Sequence, residues 1–146
     1  IHACSNRAWV FAHNGMVPEV IEWQSSGPLC HPDGETDSEY AFCHLLNEIA
    51  EAYENPLRAP WFGRLAQLSE TISTLGKFNF LLSDGRELIA YGHDRLHQLD
   101  IDDGLGRSII VATEPLSEGP WQSFAPGELR VYRDGKMIAR LGAADA

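Results

Sequence analysis

The spacing of the apolar residues changes at Gly76, and this change constrains the fold more than any other feature of the sequence. Before Gly76, apolar residues recur at intervals of three and four, which predicts two amphipathic helices at 37–54 and 60–75. After Gly76, apolar and polar residues alternate, which predicts strands. Two helices followed by strands indicate an α+β fold whose helices cover one side of an antiparallel sheet.

Local signals mark the ends of these elements. Thr36 and Glu39 predict a capping box, in which the threonine caps the first helix and the glutamate reaches back to the amide of the threonine. Asn14-Gly15 predicts a tight turn that ends a strand at 8–13, since both residues tolerate positive φ. Further strands are predicted at 78–82 and 88–91 around Asp84-Gly85, at 108–113, and at 128–132 and 136–141 around Asp134-Gly135.

Size and charge limit the classes of function. The 146 residues are 44% hydrophobic, which fits a single domain with a genuine core. Acidic residues outnumber basic ones by 21 to 11, and the resulting net charge of -10 repels nucleic acid and anionic lipid. No apolar run approaches the roughly 20 residues needed to cross a bilayer. We therefore expect neither a nucleic-acid partner nor a membrane partner.

The chain contains three cysteines, Cys4, Cys30 and Cys43, which are too few and too irregularly spaced to predict a disulfide framework or a metal site. We therefore expect free thiols and a cytoplasmic protein. His93 and His97 are four residues apart, a spacing that can hold a metal on a helix, but no third ligand accompanies them and the segment resembles a hairpin. The sequence thus predicts no metal site and no cofactor.

Two polar motifs carry the functional signal. Residues 11–15 are Phe-Ala-His-Asn-Gly, and residues 34–39 are Gly-Glu-Thr-Asp-Ser-Glu. Together they resemble the class II, or N-terminal-nucleophile, glutamine amidotransferases, which include the glutaminase domains of glucosamine-6-phosphate synthase and glutamine phosphoribosylpyrophosphate amidotransferase. A branch of small stand-alone amidotransferase-like hydrolases is more similar still, and the resemblance covers nearly the whole chain. The segments that match this branch in order are Trp9–Gly15, Gly34–Phe42, Phe78–Gly85 and Val111–Leu116.

The resemblance assigns roles to four residues. Asn14, through its side-chain amide, and Gly15, through its backbone amide, are expected to form the oxyanion hole that stabilises negative charge on the substrate oxygen. Asp37 is expected to bind the α-ammonium group of glutamine. His2 matches a histidine of the substrate-binding loop, although Ala3 replaces the proline that usually follows it.

These residues also have ordinary structural interpretations. An Asn-Gly pair alone favours a hairpin turn, and an aspartate in the first turn of a helix is stabilised by the helix dipole. His13 is expected to hydrogen-bond to a neighbouring backbone group rather than to act as a base. Because both motifs occur in the family's order, the functional interpretation of Asn14, Gly15 and Asp37 is preferred.

The family's fold is a four-layer αββα sandwich, in which two antiparallel sheets lie between layers of helices. The resemblance implies that residues 1–146 are the C-terminal two-thirds of such a domain, with its N-terminal part missing. It also implies hydrolysis of the γ-amide of glutamine, or of a γ-glutamyl compound, through a cysteine thioester. Any acceptor of the ammonia is expected to be a partner protein, because no synthase segment follows within these residues.

The family's nucleophile is a cysteine at the mature N-terminus, and residue 1 here is isoleucine. Cys4 lies between the His2 match and the strand at 8–13, so it does not replace that cysteine. We therefore expect this chain alone to be inactive and its gene to extend upstream to a Met-Cys start. Two alternatives stay open, namely a non-catalytic glutamine-binding module that has lost the nucleophile and a hydrolase with a histidine-bound metal.

Overall fold

The computed structural model describes residues 1–4, 7–24, 27–54 and 61–142, with the backbone alone for residues 2–4. The helices are α1 (Asp37–Glu54) and α2 (Trp61–Ser73), and a short 3-10 helix covers Pro18–Glu22. The strands are β1 (His2–Cys4), β2 (Arg7–Met16), β3 (Lys77–Ser83), β4 (Leu88–Gly92), β5 (His97–Asp102), β6 (Arg107–Ala112), β7 (Gln122–Ser123), β8 (Glu128–Arg133) and β9 (Lys136–Leu141).

The main sheet has six strands in the order β1-β2-β3-β4-β8-β9, and all neighbouring strands are antiparallel. The turns predicted at Asp84-Gly85 and Asp134-Gly135 connect β3 to β4 and β8 to β9. A second, three-stranded sheet has the order β6-β5-β7 and is also antiparallel. The prediction of an α+β fold with antiparallel sheets is therefore confirmed.

Both helices pack on one face of the main sheet. The core between them includes Phe42 and Leu46 of α1 and Phe80 of β3, all of them buried. Phe11 of β2 stacks on Phe42 with 5.0 Å between ring centroids, which couples the strand to the helix. Complete burial of each such side chain contributes about 1.5–3 kcal/mol. Within the described residues, no helix is long and apolar enough to span a membrane.

The start of α1 follows the predicted capping box in part. The Glu39 amide donates to the Thr36 hydroxyl at 3.3 Å, so Thr36 caps the helix. The Glu39 carboxylate accepts hydrogen bonds from the amides of Asp33, at 2.9 Å, and Gly34, at 2.8 Å. The glutamate therefore ties the preceding loop to the helix. The capping-box motif predicts a different bond, in which the glutamate accepts the amide of the capping residue.

The second sheet covers part of the other face of the main sheet. The apolar cluster between the two sheets consists of Ala90, Leu96, Phe124 and Tyr132, with Leu81, Leu88, Ile109 and Val111 packed against it. The described residues thus form three layers, one of helices and two of sheet. The second helical layer of the expected αββα sandwich is not among them, because both described α-helices pack on the same face of the main sheet.

The predicted turn at Asn14-Gly15 is wrong, because β2 continues to Met16. Asn14 pairs with Asn79 of β3, and Gly15 pairs with Phe78. The dipeptide favours a turn only through its local backbone preference. Pairing with the neighbouring strand overrides that preference here, so both residues lie within the sheet.

The expectation of free thiols is wrong for two of the cysteines. Cys30 and Cys43 form a disulfide, with a Cα–Cα distance of 4.9 Å that suits such a bond. Spacing along the chain does not reveal the pair, because the loop before α1 folds back onto that helix. Asn47 of α1 holds the Cys30 backbone there, accepting from its amide at 3.0 Å and donating to its carbonyl at 2.9 Å. The side chain of Cys4 lies outside the described residues.

A charged cluster is buried between the sheets. The Arg130 guanidinium donates to Glu128 at 2.7 Å and 3.2 Å, and Arg140 also pairs with Glu128. Arg130 donates to the side-chain oxygen of Gln98 at 2.9 Å, and the Tyr132 hydroxyl donates to the same oxygen at 2.7 Å. Burial raises the pKa of Glu128, but the Arg130 hydrogen bonds and charge outweigh burial and hold that pKa below its ordinary value.

We predict that Glu128→Gln lowers the free energy of unfolding by about 3–5 kcal/mol at neutral pH, because it leaves the buried Arg130 without its charge partner. The folded-state pKa of Glu128 lies below its value in the unfolded chain. The stabilising contribution is therefore present above the unfolded pKa and is lost as the pH falls through the folded pKa. Urea unfolding at a series of pH values should show wild type and variant converging in acid.

The exposed Glu114 provides the control, and Glu114→Gln should change the free energy of unfolding by less than about 0.5 kcal/mol. A wild-type advantage over Glu128→Gln that stays the same from neutral to acid pH would contradict the prediction.

Candidate functional site

Two hydrogen bonds join the end of β2 to the start of α1. The Val17 amide donates to Oδ2 of Asp37 at 2.6 Å. Nδ1 of His13 lies 2.9 Å from the Ser38 hydroxyl, across 25 residues of chain. Asn14-Gly15 lies on the strand between these two joined points, so the structure brings the two sequence motifs together.

Asp37 is the first residue of α1 and is half-buried. Its Oδ2 accepts the Val17 amide, and its Oδ1 accepts the Ser38 amide at 2.8 Å. The helix dipole favours a carboxylate at this position. Because an ionised carboxylate offers about four lone-pair sites, these two backbone bonds leave it able to accept further donors.

Asn14 and Gly15 are both exposed on β2. Within the part of the chain that the structure describes, the Asn14 side-chain amide has no hydrogen-bond partner, so it can donate to a ligand. Gly15 has a φ of +147°, a region that residues with a side chain rarely adopt. A Cβ at Gly15 would lie 1.9 Å from the Lys77 carbonyl oxygen of β3. Glycine is therefore required for the two backbones to approach each other here.

His13 links β2 to both of its neighbouring elements. Its Nε2 lies 3.2 Å from the Lys77 carbonyl, which can only accept, so Nε2 carries a proton. In the neutral ring, Nδ1 then accepts from the Ser38 hydroxyl. The ring also meets Phe78 edge-on, with 5.2 Å between centroids. The expected hydrogen bond of His13 to a backbone group is confirmed, and the ring holds β2, β3 and α1 together.

An open cavity of about 350 Å³ lies beside this junction. Its volume falls in the range of small-molecule sites. Residues of both motifs line the cavity, but Asn14, Gly15 and Asp37 are not among them, so the cavity extends the site along the start of α1 without enclosing these three residues. The lining residues are Ile1, Phe11, Thr36, Ser38, Glu39 and Phe42.

The other histidines singled out from the sequence are His2, His93 and His97. His2 belongs to β1 and pairs through its backbone with Trp9, and its side chain lies outside the described residues. His93 follows β4, where its Nδ1 accepts the Phe78 amide at 3.2 Å, and His97 begins β5. Among the residues that the structure describes, no group of three or more His, Cys, Asp or Glu side chains is placed to hold a metal ion.

Sequence reasoning singles out Asn79 but assigns it no role, and the structure shows that it contacts the first motif directly. Asn79 is buried on β3 opposite Asn14, and its Nδ2 donates to the Asn14 carbonyl at 3.1 Å. The available signal is a lone amide in the apolar stretch 78–82. Because a buried amide needs hydrogen-bond partners, such a position marks a polar contact whose partner the sequence does not name.

Known proteins resemble this chain over most of its length. The sequence profile of the family described as class-II glutamine amidotransferases matches residues 1–103. An uncharacterised protein of Methanocaldococcus jannaschii is 35% identical over 88% of this chain and 42% of its own length. YafJ of Escherichia coli, provisionally named a glutamine amidotransferase, is 33% identical over 90% of this chain and 60% of its own length. The chain thus spans about half the length of the curated relatives it matches.

Solved structures share the fold. A predicted glutamine amidotransferase from Pseudomonas aeruginosa has a TM-score of 0.78 at 27% identity, covering 94% of this chain and 62% of that one. A class-II glutamine aminotransferase domain protein from Silicibacter pomeroyi has a TM-score of 0.61 at 25% identity, covering 91% and 66%. The glutamine phosphoribosylpyrophosphate amidotransferase of B. subtilis has a TM-score of 0.55 at 16% identity, covering 97% and 30%, which shows likeness of fold alone.

We predict that Gly15→Ala lowers the free energy of unfolding by about 2–4 kcal/mol, because the new Cβ meets the Lys77 backbone and the residue must keep a positive φ. Gly63→Ala is the matched control. Gly63 lies in α2, and a Cβ added there would meet open space, so alanine should stabilise the helix by about 0.5–1 kcal/mol. Urea unfolding measures both changes, and equal stability of Gly15→Ala and wild type would contradict the close approach.

Proposed function

This chain belongs to the class II glutamine amidotransferase family, and we propose that the protein it comes from hydrolyses the γ-amide of glutamine, or of a γ-glutamyl compound, through a cysteine thioester. The observation that carries the proposal is the 2.6 Å hydrogen bond between the Val17 amide and Asp37. Val17 is two residues after Gly15, so this bond holds the Asp37 carboxylate beside the end of the strand that carries Asn14-Gly15. Donors suited to the γ-amide of glutamine and a carboxylate suited to its α-ammonium group therefore belong to one junction.

The chemistry of amide hydrolysis explains the need for an amide donor pair. Attack of a thiolate on the γ-amide carbonyl puts negative charge on the oxygen, and donors aimed at that oxygen lower the barrier. In the proposal, these donors are the side-chain amide of Asn14 and the backbone amide of Gly15. The departing nitrogen takes a proton and leaves as ammonia, and water then hydrolyses the γ-glutamyl thioester to glutamate.

Substrate binding is assigned to Asp37 and His2. The Asp37 carboxylate binds the α-ammonium group of the substrate in this proposal. Its hydrogen bonds to the Val17 and Ser38 amides already fix its direction, so less side-chain freedom is lost when the substrate binds. His2 is included on the strength of its match to the family's substrate-binding loop.

The proposal places the nucleophilic cysteine outside these 146 residues, together with the remaining part of the αββα sandwich. This chain by itself is then inactive. Such chemistry needs no metal or cofactor, because the thiol and the α-amine of the same cysteine serve as nucleophile and base. These parts together would make the complete protein a glutaminase of the N-terminal-nucleophile type.

The proposal also includes a partner protein that accepts the ammonia and a cytoplasmic location. The acidic surface implied by the net charge of -10 supports the exclusion of nucleic acid and anionic membranes as partners. The disulfide between Cys30 and Cys43 is an observation against the cytoplasmic location, since the cytosol keeps thiols reduced.

We predict that Asn14→Ala in the complete protein lowers kcat for glutamine hydrolysis by about 10²–10³-fold and leaves KM nearly unchanged. The lost donor acts mainly on the oxyanion, so the transition state loses more than the bound substrate does. Steady-state release of ammonia and glutamate measures both constants. Val10→Ala, which alters an exposed residue of the same strand, is the control and should keep the wild-type rate.

Two results would count against this assignment in different ways. A complete protein that binds glutamine without releasing ammonia would favour the non-catalytic binding module. An Asn14→Ala protein that folds normally and keeps more than about a third of wild-type kcat would exclude Asn14 from the oxyanion hole.

We predict that Asp37→Asn mainly raises KM for glutamine, because a charge partner of the α-ammonium group is lost in the ground state and the transition state alike. Asparagine keeps one oxygen, which can accept the Val17 amide, and loses only the acceptor for the Ser38 amide, so the fold should survive. Asp33→Asn, in the loop before α1, is the matched control and should leave KM unchanged. A fall in kcat at constant KM would show that the role assigned to Asp37 is wrong.

A further inference from the structure

Asn79 makes an unusually complete set of hydrogen bonds for a buried side chain. It is 1% exposed. Its Oδ1 accepts the amides of His93, Asp94 and Arg95 at 2.9, 3.1 and 3.3 Å. Its Nδ2 donates to Oδ1 of Asp94 at 2.7 Å and to the Asn14 carbonyl at 3.1 Å. One amide thus joins the loop after β4 to the strand that carries the first motif.

The bond to Asn14 acts on the same peptide group that supplies the Gly15 amide. The carbonyl of Asn14 and the N–H of Gly15 belong to one planar trans peptide, in which they point in opposite directions. Holding the carbonyl from one side therefore fixes the direction in which the N–H points on the other. A hydrogen bond to the carbonyl also polarises the peptide and strengthens the N–H as a donor.

We propose that Asn79 is a positioning residue, which orients the Asn14–Gly15 peptide so that the Gly15 amide points at the substrate oxyanion. This inference rests on the proposed function, since it deepens the role given there to Gly15. Asn79 does not touch the substrate in this arrangement. It acts through the peptide that does.

The hydrogen bonds at position 79 require both the oxygen and the nitrogen of an asparagine side chain. The oxygen gathers the three loop amides, and the nitrogen carries the two hydrogens that reach Asn14 and Asp94. Asp94 also pairs with Lys77 at 3.3 Å, at the start of β3. The Asn79 hydrogen bond and the Lys77 charge lower the pKa of Asp94, which keeps this carboxylate ionised as an acceptor. The loop is therefore a fixed support from which Asn79 holds Asn14.

A purely structural role would also use these bonds, and exchange of the side chains at positions 79 and 94 separates the two roles. The double variant Asn79→Asp with Asp94→Asn keeps the total charge, the acceptor for the loop amides and an amide-to-carboxylate bond between the two positions. It removes the donor that faces the Asn14 carbonyl. Asp94→Asn alone is the matched control, because it leaves the Asn79 bond to Asn14 in place.

The complete protein with the double exchange is expected to show kcat for glutamine about 10- to 100-fold below wild type, with KM within about twofold, because a misdirected donor weakens only the transition state. Asp94→Asn should keep kcat within about twofold of wild type. A folded double variant that retains more than about a third of wild-type kcat would overturn the inference. If the double variant does not fold, Asn79→Asp with Asp94→Ala decides, because it keeps the acceptor for the loop amides and still removes the donor that faces the Asn14 carbonyl. The same fall in kcat is expected, and the same threshold applies.

These outcomes are distinct from failure of the proposed function. A wild-type protein without glutaminase activity would refute the proposed function itself. An active wild-type protein whose position-79 variants keep their kcat would refute only the positioning role. Equal loss of kcat in Asp94→Asn and in the double variant would also refute it, because the loop and not the Asn14 contact would then be responsible.

Discussion

The end of β2 is held between β3 and α1, and this double attachment governs both the packing of the sheet and the position of the candidate site. Gly15 lets the β2 backbone approach the Lys77 carbonyl more closely than any side chain would permit. Two residues later, the Val17 amide binds the Asp37 carboxylate at the start of the helix. The strand is thus fixed from both sides where it presents Asn14. The contacts that close the sheet against the helix are also those that place the polar groups of the candidate site.

Elements with local, repeated signals could be predicted from the sequence. α1 spans Asp37–Glu54, as the apolar spacing and the cap at Thr36 indicate. β5 is missed because Gln98, its fully buried residue, is polar and is satisfied by Arg130 and Tyr132 of another strand. The turn at Asn14-Gly15 is wrong for a related reason, since a local preference gives way to pairing with a distant strand. In both places, contacts with residues distant in sequence determine the structure, and the short local pattern predicts it wrongly.

The residues of the candidate site also fall into two groups, those that a short motif indicates and those that only a long-range contact brings to the site. Asn14, Gly15 and Asp37 could be given expected roles from the sequence, because each belongs to a short motif that resembles the family's. Asn79 could not, because it reaches Asn14 across 65 residues of chain and only in the register that β2 and β3 adopt. The pairing of Cys30 with Cys43 likewise depends on the path of a loop. Contacts of this kind exist only once the strands and loops have found their partners.

The charged cluster on β8 has a consequence for how that strand aligns with its neighbours. Leu129 and Val131 face the helices, whereas Arg130 and Tyr132 face the second sheet. Because side chains alternate, sliding β8 by one residue would exchange the two sets. A guanidinium would then enter the aromatic core, where leaving a charge without a partner is strongly unfavourable. The buried ions thus select one alignment of β8 from among those that backbone hydrogen bonding alone would accept.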